Sequence, residues 1–295
     1  MTTGDGPYAS LRERVVGEHG VVMLVGAPDT GKTTLATLLL SDAIRANRKV
    51  AFVDADIGTP SVGPPACVGL KWVRSHVDLS NLAVADELRF VGSIQPQGAV
   101  LPHVVAATDL VEIARREADF IVLDTTGVVS GVVGQTLKYH LMELCNPALV
   151  IAMQRGGEME PTIGMLRRFL AARVAKVVPD GVEPVDPIER AAVRQAAFAK
   201  ELSEPLPRWR IGHDVFAPTL PEGFDVSRLD GMLVGVQDKR GRCLGLGVLQ
   251  WAADEIAVAT RHGEHMHGLR LGSLRIDLET FACTEVRLRE LMFGV

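Results

Sequence analysis

The stretch "GVVMLVGAPDTGKTTLATLLL", residues 20–40, decides the fold. Its first seven residues are a short apolar, β-branched run, the pattern of a strand buried on both faces of a parallel sheet. Gly26-Ala27-Pro28-Asp29-Thr30-Gly31-Lys32-Thr33 follows and matches G-x-x-x-x-G-K-[ST]. Behind it, Leu35, Leu38, Leu39 and Ala43 fall on one helical face. A glycine-rich turn between a strand and a helix is the setting in which this motif cradles phosphate. Backbone N–H groups curl around the β-phosphate, and the helix N-terminus adds its positive end. Lys32 would reach the β/γ oxygens and Thr33 would hold Mg²⁺, so Gly26 to Thr34 are expected to bind the nucleotide.

Working outward, strand-like runs recur as "KVAFVDAD", "LRFVGSI", "DFIVLDTT", "ALVIAMQ" and "VAKVV", separated by helical stretches. Alternation of this kind predicts an α/β fold, a P-loop NTPase with a doubly wound parallel sheet. From about residue 185 the pattern changes. "DPIERAAVRQAAFAKEL" reads as a helix with Asp186 at its N-cap and Pro187 at its first position. A proline-containing link follows, then short strands separated by turn signals, with "DKRGR" (238–242) as a hairpin turn. The expected organisation is an N-terminal extension (1–19), a P-loop kinase domain (20–224) with a helical lid around 186–202, and a small β-rich C-terminal domain (225–295).

The 295 residues, 47% apolar, suffice for a buried core. No run approaches a membrane span and the N-terminus lacks a signal-peptide core, so a soluble cytoplasmic protein is expected, with no membrane partner. Cys67, Cys145, Cys243 and Cys283 form no C-x-x-C pair, which argues for reduced thiols rather than zinc or disulfides. A net charge of -5 gives no general attraction to polyanions. Nucleic-acid binding would therefore need a local basic patch, for which 167–176, 207–210 and 238–242 are the candidates.

Three acidic positions carry chemistry. Asp54 and Asp56 end the second strand in "VDADIGTPSVGPP" and point to one side, at the sheet edge where ligands bind in such folds. One of them could take a proton from an attacking hydroxyl, or both could cap the loop or hold metal. Asp124 follows four apolar residues, the usual placement for a carboxylate that orients Mg²⁺. Thr125-Thr126-Gly127 comes next, near the γ-phosphate position; D-x-x-G alone also fits a nucleotide-hydrolysing switch. "QRGGEMEP" stands where GTP-binding families carry Asn-Lys-x-Asp, so ATP is the expected nucleotide. Arg190 and Arg194 share a helical face, where two like charges repel unless an anion lies between them.

Together these segments resemble the polynucleotide 5′-hydroxyl kinases that include the RNA kinase subunit of the mRNA cleavage and polyadenylation factor and the kinase of pre-rRNA processing. The likeness rests on "GAPDTGKTTL", "VAFVDADIGTPSVGPP", "FVGSIQPQGAVLPHV", "VLDTTGVVSG", "LVIAMQRGGEMEP", the Arg190/Arg194 pair and "GLRLGSLRID", in order over most of residues 20 to 280. It implies an ATP- and Mg²⁺-dependent kinase acting on 5′-hydroxyl ends of RNA and/or DNA. In that reading Asp56 is the general base and Thr125, Thr126 and Gly127 clasp Lys32. Arg190 and Arg194 are lid arginines, the turn with Ser93, Gln95 and Gln97 faces the acceptor strand, and Asp54 is a further substrate-binding position. The family's Gln after D-x-G is here Thr59, and its Trp after the clasp glycine is Val128. Protein partners are left open, and a compact prokaryotic enzyme is expected.

His262, His265 and His267 lack zinc-ligand spacing and read as a loop between strands. His103 reads as a hydrogen-bonded histidine near the acceptor turn, and Trp72, Trp209 and Trp251 as packing residues.

Overall fold

In the computed structural model, which describes residues 8–179 and 184–294, the chain divides into two units, one of Met1–Gly63, Val68–Glu87 and Gln95–Val185 and another of Pro64–Cys67, Leu88–Ile94 and Asp186–Val295. Residues 1–7, which belong to the expected N-terminal extension, lie outside the described residues, as do 180–183 and Val295.

The elements run α1 (Ala9–Val16), β1 (Gly20–Gly26), α2 (Lys32–Arg45), β2 (Val50–Ala55), β3 (Cys67–Val73), α3 (His76–Ser80), β4 (Glu87–Phe90), α4 (Val100–Arg115), β5 (Phe120–Thr125), α5 (Gly131–Cys145), β6 (Leu149–Met153), α6 (Glu160–Leu170) and β7 (Val174–Val177). In the first unit the strand order is β3-β2-β5-β1-β6-β7. Strands β2, β5, β1, β6 and β7 are mutually parallel, and β3 lies antiparallel to β2. Val22, Leu24, Phe52, Val122 and Ile151 pack with Leu35, Leu39 and Ala43 of α2 and with Leu11 and Val15 of α1. The alternate positions Val21, Met23, Ala51 and Ile121 are buried on the opposite face. There α4 lies against β2 and β5, and α5 against β1. Helices therefore cover both faces of a parallel-rich sheet, the architecture expected from the alternating runs.

Two expectations change. The antiparallel β3 was not anticipated, because Gly69 and Lys71 interrupt its apolar run. Gly69 is required there, since a Cβ would stand 2.4 Å from the Val62 carbonyl oxygen. "LRFVGSI" supplies β4, which pairs antiparallel with the second unit's long strand at Leu88↔Cys243, where the apolar run suggests a parallel strand. The segment before β1 also has structure of its own: α1 docks on α2 through a bidentate Arg12–Asp42 pair at 2.7 and 2.8 Å.

The second unit contains α7 (Pro187–Leu202), β8 (Arg208–Arg210), β9 (Phe216–Ala217), β10 (Met232–Gln237), β11 (Cys243–Ala252), β12 (Glu255–Ala259), β13 (Gly268–Ile276), β14 (Cys283–Glu285) and α8 (Leu288–Phe293). Strand β10 pairs antiparallel with β11 and β13, and β12 joins β11 to β8. The "DKRGR" hairpin forms as expected: Asp238 accepts from the amides of Arg240 and Arg242, and Gly241 takes φ 75°. The division falls at Val185/Asp186, earlier than the boundary expected near residue 225. The reason is hydrophobic. Phe198 and Leu202 of α7 bury against Leu233, Leu246 and Val248, and β8 hydrogen-bonds β12, so the expected lid helix counts with the β-rich unit. Asp186 caps α7 by accepting from the Ile188 amide at 2.7 Å, with Pro187 at the first position. Among the described residues no helix is long and apolar enough to cross a membrane.

Candidate active site

The register of the first sheet brings the chemistry together. Asp54 of β2 and Leu24 of β1 both pair with Asp124 of β5, so three strand ends finish on one row. The phosphate loop leaves that row at Gly26, where a Cβ would lie 2.5 Å from the Met153 carbonyl oxygen and 2.8 Å from Thr30 Oγ1. Within the loop, Thr30 Oγ1 donates to the Ala27 carbonyl at 2.9 Å. Asp29 and Gly31 take left-handed φ values of 55° and 77°. Among the described residues the N-cap of α2, Gly31, supplies no side-chain cap, which suits its first amides to an anion. Asp29 is also held from outside the loop: the Arg155 guanidinium donates to its carbonyl, and the Val185 amide to its carboxylate at 3.1 Å.

Lys32 is buried, and its Nζ donates to the Ala27 carbonyl at 2.9 Å. Burial lowers its pKa from the ordinary lysine value, against the pull of the Asp124, Asp56 and Asp29 carboxylates. Thr33 Oγ1 donates to Asp124 Oδ2 at 2.6 Å. The other oxygen, Asp124 Oδ1, is buried and has no hydrogen-bond partner among the described residues. Burial pushes this carboxyl up to about 6, with the Lys32 charge opposing. An orphaned carboxylate oxygen beside a threonine hydroxyl suits a hard divalent cation, or a water bound to one, next to a nucleotide's phosphates.

The two carboxylates of "VDADIG" divide their work. Asp54 is buried and accepts from the amides of Asp56 (2.9 Å), Ser61 (2.6 Å) and Val62 (3.2 Å). Burial, then the neighbouring Asp124 and Asp56 charges, push its pKa well up. It braces the turn that carries Asp56. Asp56 is half-buried, close enough to Lys32 to oppose its desolvation, and is oriented by the Gly58 amide at 2.9 Å and the Thr59 hydroxyl at 3.5 Å. Thr59 thus contacts the carboxylate directly. His103 on α4 approaches the same turn, its Nε2 2.8 Å from the Ala55 carbonyl. Burial lowers its pKa to about 4, so the ring is neutral at pH 7 and Nε2 carries the donated hydrogen.

Thr125 and Thr126 are buried, and the Thr125 hydroxyl donates to the Leu24 carbonyl at 2.7 Å. Gly127 sits directly against the phosphate loop: a Cβ would meet Pro28 Cγ and N at 2.7 Å. Sequence reasoning missed a neighbour. Lys138 of α5 is completely buried and donates to Thr125 Oγ1 at 2.8 Å and to the Thr126 carbonyl at 2.7 Å. It lies on the stripe of Gly134, Leu137, Leu141, Met142 and Cys145, so helical periodicity could have revealed it.

The structure does not bring every expected site residue onto this row. Gln95 and Gln97 are exposed in the first unit, whereas Ser93, Arg190 and Arg194 belong to the second, Ser93 buried and both arginines half-buried on α7. Much of the charge in the expected basic segments is paired locally, as Arg173–Glu18, Lys176–Glu160, Arg210–Glu255 and Arg242–Asp238. His262 bonds Glu201 at 3.1 Å. Among the described residues no cluster of three or more His, Cys, Asp or Glu is arranged to hold a metal ion.

Comparison with known proteins follows the same lines. Residues 26–200 match the model of the mRNA cleavage and polyadenylation factor CLP1 P-loop family. The chain belongs to the CLP1 P-loop family. It is 27% identical, over 98% of its own length and 91% of the relative's, to a protein of Pyrococcus furiosus named polyribonucleotide 5′-hydroxyl-kinase. A protein of the same name from Methanocaldococcus jannaschii is 24% identical over 87% of each chain. The solved structure of a Clp1p–Pcf11p complex superposes with a TM-score of 0.69 at 13% identity, over 90% of this chain and 77% of that one. At that identity the CLP1 likeness in three dimensions speaks for the fold alone.

Proposed function

We propose that this CLP1-family chain is a kinase of RNA 5′ ends that transfers the γ-phosphate of ATP to the 5′-hydroxyl end of RNA and/or DNA. One observation carries the reading. Lys32, the Thr33–Asp124 pair and Asp56 lie close together at the strand ends, which supports reading them as a phosphate-binding lysine, a cation seat and a proton-accepting carboxylate of one site. The names of the relatives point the same way.

Thr33 and Asp124 would hold Mg²⁺ with the nucleotide. When bound, the ion neutralises charge on the phosphate oxygens. Phosphoryl transfer has a loose transition state, so the protein's task is positioning and electrostatic stabilisation. Lys32 would leave the Ala27 carbonyl for the β/γ oxygens. Asp56, fixed by the Gly58 amide and the Thr59 hydroxyl, would accept the proton of the attacking 5′-hydroxyl. Gly127 against Pro28 would keep the loop closed around the phosphates, and Arg190 and Arg194 would act as lid arginines on the transferring group. The Ser93–Gln97 turn would meet the acceptor strand.

The test is transfer of label from γ-labelled ATP to 5′-hydroxyl RNA and DNA oligonucleotides. Label is expected at the oligonucleotide 5′ end, lost in Lys32→Ala and in Asp56→Asn, with Asp56→Asn still binding ATP. Label found only in free phosphate would refute the reading, and retained transfer by Asp56→Asn would remove the base.

A further inference from the structure

Lys138 is a fully buried lysine outside every recognised motif of the chain. A cation at such a position is costly unless its hydrogens are satisfied, and a hydrophobic side chain of similar volume would pack there at no electrostatic cost. Its Nζ finds two acceptors on consecutive residues, Thr125 Oγ1 at 2.8 Å and the Thr126 carbonyl at 2.7 Å. The Thr125 hydroxyl already gives its only hydrogen to the Leu24 carbonyl at 2.7 Å, so toward Lys138 it can only accept. A directed relay thus runs from α5 through the end of β5 to β1, two residues before the phosphate loop begins. Immediately beyond the anchored pair, Gly127 presses on Pro28.

We infer that Lys138 is a positioning residue for phosphoryl transfer: it pins Thr125 and Thr126 so that Gly127 seats against Pro28 and holds the phosphate loop in its productive shape. The inference rests on the kinase reading. Being wholly buried, Lys138 acts through the turn and does not itself touch substrate. The charged and titratable groups around it are Lys32, Asp56, Asp124 and His103. Burial first, then the Lys32 charge, lowers its pKa to about 7. The amine and the ammonium each have enough hydrogens for both acceptors, so the anchoring does not depend on which form is present.

The experiment compares Lys138→Met, Thr125→Val and the double variant with wild type. It measures kcat and KM for ATP and a 5′-hydroxyl RNA oligonucleotide, thermal unfolding, and deuterium uptake of the 124–130 peptide in the free protein. Each single change removes two of the hydrogen bonds that fix the turn and is expected to lower kcat about 10-fold or more, with KM values within about 3-fold. Because both changes cut one relay, the double variant should be no more than about 3-fold slower than the slower single. Uptake at 124–130 should rise while the unfolding midpoint stays within a few degrees. Unchanged kcat, unchanged uptake, or kcat losses that multiply would each overturn the inference. If Lys138→Met does not fold, Lys138→Gln takes its place, and failure of both to fold makes Lys138 a core residue and overturns the inference too. A wild-type protein that transfers no phosphate sinks the kinase reading, whereas the uptake comparison then still decides the role of Lys138.

Discussion

Replacing Gly127 with alanine adds one methyl group at the tightest approach to the phosphate loop. The new Cβ would stand 2.7 Å from Pro28 Cγ and N and 2.8 Å from Pro28 Cα. Optimal contact between such atoms is about 3.5–4.0 Å, so the overlap approaches an ångström and two of the three atoms are backbone that no rotamer change can move aside. Overpacking of this sort costs roughly 1–3 kcal/mol. Here the strain falls on the loop that must wrap phosphate, so much of it should appear as weaker nucleotide binding, roughly 5- to 150-fold in Kd. Isothermal titration with ATP measures it directly. Gly164→Ala is the matched control: nothing lies within 4 Å of its Cβ position, on α6. That change should leave Kd alone and stabilise by about 0.5–1 kcal/mol through helix propensity. An ATP affinity for Gly127→Ala equal to wild type would refute the reasoning that this contact shapes the loop.

Three further outcomes are expected. Arg190→Ala should lower kcat by about 10³-fold if Arg190 serves as a lid arginine, and steady-state rates within a few-fold of wild type would assign it to a solvated face. Because the folded pKa of Lys138 (about 7) lies below its ordinary 10.5, the unfolded chain binds more protons between those values, and wild-type stability rises with pH across that window. Relative to Lys138→Met, wild type should therefore gain on the order of a few kcal/mol from pH 7 to pH 10 in denaturant titrations, and parallel pH profiles would contradict a buried, depressed lysine. The His103 ring, lowered to about 4 by burial, should titrate by NMR well below the ordinary histidine range, and a midpoint near 6.5 would show that it is not enclosed as described.

What could be read beforehand had a periodic or motif signature. The strand–loop–helix from Gly20 to Arg45 was legible because glycines, lysine and flanking apolar runs sit at fixed offsets. Asp124 was legible because it follows an unbroken buried strand. The antiparallel β3 was not, since its residues alternate poorly and its place depends on the backbone of Val62 closing over Gly69. Pairing of β4 with β11 joins residues more than 150 positions apart and leaves no local trace. Lysine on an amphipathic helix ordinarily reads as solvated, so Lys138 escaped notice although Gly134, Leu141 and Met142, three of its four neighbours at three and four residues, are apolar or glycine. The split of duties between Asp54 and Asp56 was equally hidden, because only the folded loop shows which carboxylate the amides of Ser61 and Val62 occupy.

The shared row of Asp54, Asp124 and Leu24 has a consequence for how this enzyme could be re-engineered. Side-chain direction along a strand inverts with every residue, so removing or inserting one position within 50–53 or 120–123 would swing an aspartate through the sheet to the opposite layer. Exchanges that keep strand length, such as Val122→Ile, disturb packing by only a methylene or so. Indel scanning should therefore be far more damaging across these two four-residue windows than point mutagenesis of the same positions, and libraries meant to retune the site should vary its chemistry at constant spacing.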